Sequence, residues 1–195
     1  MEKTVFKYGM RSHLWCWALG VAAGLLVAFF SRFPADDLWA FALFSSQNFG
    51  FWLCTCALIA LFSDRNTSAG INVALYVYFM FYITGIFKRL SIVTKGYQTM
   101  SYFYSGLWQE LSYGLLPAAV CFALAFMLWY ARRNKPLLIA LRFLPVALIV
   151  AEAIANIIFV IRRGQGLFMA VVDSFCAFAY LLLVIKASEF KKELA

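Results

Sequence analysis

The sequence predicts an all-α polytopic membrane protein, a bundle of six transmembrane helices, and three observations carry that reading. Of its 195 residues, 65% are hydrophobic and only 13% charged, against roughly 45–50% and about 25% in soluble domains. The mean hydropathy is +0.82. Six apolar runs approach or exceed the roughly 20 residues needed to cross a hydrocarbon core about 30 Å thick. In such a core every backbone N–H and C=O needs an internal partner, and runs of this length obtain one as helices.

The first run, residues 12–31, follows Lys3, Lys7 and Arg11. It is too long for a signal peptide and lacks a small-residue cleavage pattern, so it is expected to be a retained span. Within it Ala18, Gly20, Ala22 and Gly24 place small residues four apart, the spacing that lets a second backbone approach closely. Ala18, Gly20 and Ala22 are therefore the candidate docking face for a partner subunit; close packing inside the monomer is the other use of such spacing.

Pro34 and the Asp36-Asp37 pair mark a turn and a cap before the second run, residues 38–62. That run is interrupted by Ser45, Ser46, Gln47, Asn48 and Gly50. Polar residues grouped inside a span fit an unwound segment at a binding site, as in transporters with discontinuous helices. They also fit a continuous helix bonded to its neighbours. The third run, 69–87, has Asn72 near its start and Tyr76, Tyr78 and Tyr82 beyond it.

Residues 88–111 combine Lys88, Arg89 and Lys95 with Tyr97, Tyr102, Phe103, Tyr104 and Trp108. Amphipathic aromatics of this kind belong at a membrane surface, so the segment reads as a long connection, either an interfacial helix or a lid over a cavity. The fourth run, 112–131, ends in Trp129 and Tyr130 followed by Arg132, Arg133 and Lys135, an aromatic belt and a basic anchor. The fifth and sixth are 136–161 and 165–185, and no second domain is predicted.

The formal charge of +8 does not point to nucleic acid, because Lys and Arg sit at the segment ends and not along one face. With the N-terminus inside, ten of them fall on inner segments and six on outer ones, with Arg142 inside a span. The bias predicts a cell-membrane protein with both termini cytoplasmic. The five cysteines all lie in apolar runs, and Cys54 and Cys56 point to nearly opposite sides of a helix. They read as small packing residues and not as disulfides or metal ligands.

The candidate site comes from acids within the spans. Holding an ionised carboxylate at the bilayer centre costs roughly 2.5–3.5 kcal/mol on insertion scales, so an acid there needs a partner, a cavity or a proton. Glu152 lies about 4 to 5 Å outside the midplane of the fifth run, with Asn156 one turn further on the same face. Asp173 falls at a similar depth in the sixth run, and Gln47 and Asn48 in the outer half of the second. Glu152, Asn156, Asp173, Gln47 and Asn48 are the expected ligand-binding set. Two like charges at low dielectric do not both ionise cheaply, so a proton or a bound cation would accompany them, and the many aromatics add cation–π capacity. Two unrelated acids, each bonded to a neighbouring helix, are the plainer alternative. Arg142, about 15 Å along the helix from Glu152, is too far to pair with it and is expected to snorkel or to bond carbonyls freed near Pro145.

No catalytic function is predicted. The sole histidine is His13, and the chain has no HExxH, GxSxG or phosphate-cradling glycine loop. An intramembrane acid dyad would lack a prepared nucleophile. No cofactor and no metal are expected.

With six short-looped helices, Ala18 and Ala22 four apart in the first, and polar residues in the outer halves of later ones, the chain resembles the S component of energy-coupling factor (ECF) vitamin transporters. The resemblance implies that the Ala18/Ala22 face docks a coupling subunit and that a solute enters from outside beneath loops. Residues 46–51, Asn72 and Trp129-Tyr130 are also similar to small six-span proteins of unknown function in Gram-positive bacteria. The expected function is a solute-binding or transport subunit for a small cationic or aromatic solute, working in a lipid bilayer with a separate energising subunit. The alternative is an accessory membrane protein, immunity, regulatory or pore-forming, that acts by helix association.

Overall fold

A computed structural model describes residues 6–30, 50–132, 136–164 and 166–192. The described residues are all-α. The helices are α1 (Met10–Phe30), α2 (Gly50–Phe62), α3 (Asn66–Thr94), α4 (Met100–Tyr113), α5 (Leu115–Trp129), α6 (Pro136–Arg163) and α7 (Leu167–Lys192), with a 3-10 turn at Tyr130–Arg132 closing α5. Five stretches among them are long and apolar enough to cross a membrane, α4 and α5 counting as one, while α2 is a shorter apolar helix. The turn at Pro34, the acids Asp36 and Asp37, and the polar break with Gln47 and Asn48 lie outside the described residues.

The longest element, α3, is the pivot. Its 29 residues span about 43 Å, and it packs against α1, α2, α4 and α5. Small residues let α1 approach: a Cβ on Gly20 would fall 3.0 Å from Tyr76 Cα, and one on Gly24 would fall 2.8 Å from the Met80 carbonyl oxygen. Cys16, Ala23 and Val27 complete that inward face with Val73, Tyr76, Val77 and Met80. Gly20 is thus buried against α3, while Ala18 is half-buried and Ala22 exposed. The three residues of the expected docking face do not share one side of α1.

On its other flank, α3 is lined by α4 and α5, which run antiparallel to it as one helix with a break at Gly114. Asn66 meets Tyr130, Gly70 meets Phe122 and Gly114 meets Tyr78, and Arg89 meets Glu110. The expected connection 88–111 is therefore mostly helix: α3 continues to Thr94 and α4 begins at Met100. Its charges do not mark a loop, because the principal pair is satisfied between two helices.

The α6–α7 hairpin joins the rest chiefly through α2. Cys54, Ala57 and Leu61 of α2 pack with Val146, Ile149, Cys176, Ala177 and Tyr180, while Ile59 and Ala60 belong to the α1–α3 core. All five cysteines are free thiols. Outward, α5, α6 and α7 present Leu116, Val120, Leu124, Leu144, Leu148, Ile154, Ile158, Phe175, Phe178 and Leu182. An apolar surface this continuous suits lipid tails and not water. The chain is a multi-pass helical membrane protein.

One end of the bundle is tied by polar contacts. Phe6 forms a parallel bridge with Ser63, and the Ser63 carbonyl accepts from Trp129 Nε1 at 3.0 Å and also from Arg132. The N-terminal stretch, the α2–α3 link and the end of α5 therefore lie together. Lys88 and Arg89 of α3, Lys95 just past its end, and Arg162 and Arg163 of α6 belong to the opposite end.

Candidate functional site

Glu152, Asn156 and Asp173 come together where α6, α7 and α2 meet. Asp173 lies six residues into α7, about 9 Å from its start, and is 0% exposed. Asn156 Nδ2 donates to its Oδ2 at 2.7 Å, whereas Oδ1 has no hydrogen-bond partner among the described residues. A Cβ built on Gly50 would fall 2.7 Å from Asp173 Cγ and 3.3 Å from Glu152 Oε2. Both carboxyl groups thus abut the same point of the α2 backbone, and glycine leaves the space that the Asp173 carboxylate occupies. Glu152 and Asn156, four apart on α6, are both half-buried and face that point.

Gln47 and Asn48, the other members of the expected set, lie outside the described residues. A cavity at the far end of α3 and α4 and a groove between α1 and α2 are not lined by Glu152, Asn156 or Asp173. Arg142 serves a different purpose from the one expected. Its Nε and Nη2 donate to the Ala131 carbonyl at 3.0 and 2.6 Å, so it neither snorkels nor serves the carbonyls near Pro145. That part is taken by Tyr180, whose hydroxyl donates to the Arg142 carbonyl at 3.0 Å. Pro145 removes one N–H from α6, and the tyrosine supports the loosened turn from α7.

Two polar clusters were not assembled by sequence reasoning. At the N-terminal end, Nδ2 of fully buried Asn72 lies 3.2, 3.3 and 3.3 Å from the hydroxyls of Ser12, Ser63 and Ser68, which share its two protons, and its Oδ1 accepts from His13 Nδ1 at 2.7 Å. It binds α1, α2 and α3 to one another. The signal was partly present, an asparagine within an apolar run and Ser63 and Ser68 shortly before it, but Ser12 and His13 are about sixty residues away in the chain. At the opposite end Arg89 Nε pairs with Glu110 Oε1 at 2.7 Å, and Nη2 donates to Gln109 Oε1 at 2.8 Å. Tyr102 lies beneath the guanidinium, 5.0 Å from ring centroid to Cζ. Gly85 and Gly106 make room, since a Cβ on the first would strike the Glu110 carboxylate and one on the second the Arg89 guanidinium.

The fold and site define a helical membrane protein with a buried and a half-buried acid at a three-helix junction. Comparison with protein families, with curated proteins and with solved structures finds no match. Among the described residues no group of three His, Cys, Asp or Glu side chains could hold a metal ion.

Proposed function

We propose that the protein is a solute-binding or transport subunit of a bacterial cell membrane, with both termini cytoplasmic. It binds a small cationic or aromatic solute at Glu152, Asn156 and Asp173, with Gln47 and Asn48 as further ligands, and works with a separate energising subunit, as an S component does. The role is binding and not catalysis. The observation that carries the reading is Asp173, a fully buried carboxyl with one oxygen held by Asn156 and the other unpartnered among the described residues. A second carboxyl stands against the same backbone point. Most buried carboxylate oxygens in folded proteins are hydrogen-bonded, so the second oxygen of Asp173 is acceptor capacity that the described part of the fold does not use. A buried acid with one spare acceptor oxygen, beside a second acid, suits a cation or a donor-rich solute.

The test is equilibrium binding of small organic ammonium ions, choline and tetramethylammonium first, to the purified chain in lipid nanodiscs. Glu152→Gln and Asp173→Asn keep size and remove charge, and each is expected to weaken binding by about 1.5 kcal/mol, roughly tenfold. Undiminished binding in both variants would end this reading.

One observation favours helix association as a second reading. Ala22 lines an apolar groove between α1 and α2, with Phe6, Leu19, Leu26, Leu58 and Phe62. Ala18→Leu with Ala22→Leu should then abolish co-purification with a partner subunit and leave the monomer monodisperse, because added bulk on a lipid-facing side does not disturb the core. Partner loss with the acids dispensable supports the accessory role; sensitivity to the acids supports the carrier.

A further inference from the structure

We propose that the far end of the α3–α4 pair holds a second binding site, for a single-chain amphiphile with an anionic head. A cavity of about 270 Å³ opens there, lined above by Lys88, Arg89, Glu110 and Tyr102 and below by apolar side chains that include Trp52 and Met80. Its charged lining is one positive charge in excess, Lys88 and Arg89 against Glu110.

Arg89 is 8% exposed, and its guanidinium carries five N–H donors in a fixed plane. Glu110 and Gln109 take one each, from Nε and Nη2. Among the described residues Nη1 has no hydrogen-bond partner. A clamp between two helices needs only the Glu110 and Gln109 contacts, so the remaining donors and the exposed Lys88 are available to a carboxylate or phosphate oxygen. A planar arginine held on one side by a carboxylate and below by an aromatic ring is already oriented for such an anion.

Depth and size define the rest of the ligand. Arg89 lies 23 residues beyond Asn66, about 35 Å along α3, which places its charge just past a hydrocarbon core about 30 Å thick. Polar heads of amphiphiles sit at that level. Met80, nine residues earlier, puts the apolar floor about 13 Å deeper. The volume, about 270 Å³, lies just below the range of small-molecule pockets, which run from roughly 300 Å³ upward, and so accommodates one short chain and not a two-chain phospholipid. Trp52 and Phe81, edge to face at 4.7 Å, form one wall.

The experiment uses the full chain in phosphatidylcholine nanodiscs, with radiolabelled decanoate as probe, decanol as uncharged control and empty discs to subtract partitioning. One saturable decanoate site per chain is expected, with affinity about tenfold above decanol for the charge-assisted contact. Lys88→Gln, at an exposed position, should lower decanoate affinity about threefold. Ile92→Trp narrows the cavity without touching its charges and should lower it by about tenfold or more. Glu152→Gln should leave it unchanged, which separates this site from the acid site. Absence of saturable binding, equal binding of decanol, or full binding by Ile92→Trp overturns the proposal. Displacement by phosphatidylglycerol placed in the disc overturns the single-chain assignment, since the head would then be that of a lipid.

Discussion

Gly20→Leu is expected to destabilise the folded chain by about 3 kcal/mol, at the upper end of the range for overpacked interiors. The position meets backbone, not the tip of a side chain: a Cβ there would lie 2.5 Å from the Tyr76 carbonyl oxygen, 3.0 Å from its Cα and 3.1 Å from its carbonyl carbon. Backbone of a helix as long as α3 does not yield locally, so α1 must lift as a whole, and the contacts of Cys16, Ala23 and Val27 with α3 go with it. The same substitution at Ala22, which is exposed, should leave stability within about 0.5 kcal/mol. Thermal unfolding in detergent, read by tryptophan fluorescence, would show a drop in Tm for the first and none for the second. Equal Tm values for Gly20→Leu and the unaltered chain would mean that α1 does not pack where the structure has it.

That contrast shows what was legible in the sequence. Small residues in α1 announced a close approach, but not its direction. Each helical residue turns about 100°, so Gly20 lies about 200° from Ala18 and from Ala22, and these cannot share a face. The helices were legible because length and apolarity alone select them in a bilayer. The segment 88–111 was not, because Lys88, Arg89 and Glu110 read as water-facing until the antiparallel register of α3 and α4 brings Arg89 onto Glu110.

The acid site was legible in one dimension. A rise of about 1.5 Å per residue gives depth, and depth alone put Glu152 and Asp173 level with one another and Asn156 one turn further out. Which sides of α6 and α7 turn inward depends on packing around Ile149, Cys176 and Tyr180, which no single-helix argument supplies. The third participant, α2, was expected for its polar residues Gln47 and Asn48. Those two lie outside the described residues; the part of α2 that meets the acids is Gly50, which carries no side chain.

Gly50→Ala is accordingly expected to weaken solute binding at the acid site by about 3 kcal/mol, more than the loss of either charge alone. The added methyl group would overlap Asp173 Oδ1, lie 2.7 Å from Cγ and crowd Glu152 Oε2 at 3.3 Å. An aspartate has too short a stem to bend clear while its Cβ stays fixed on α7, so the carboxyl must rotate. Rotation breaks the 2.7 Å bond from Asn156 and separates the two acids, removing two charge-assisted contacts to a bound cation at once. Both charges remain, and this distinguishes the variant from Glu152→Gln and Asp173→Asn. If the site worked only as a diffuse negative field, Gly50→Ala would bind ammonium probes as the unaltered chain does. A loss of roughly a hundredfold, with the Tm lowered by only a few degrees, is the result expected of a site that holds its ligand by the placement of its oxygens.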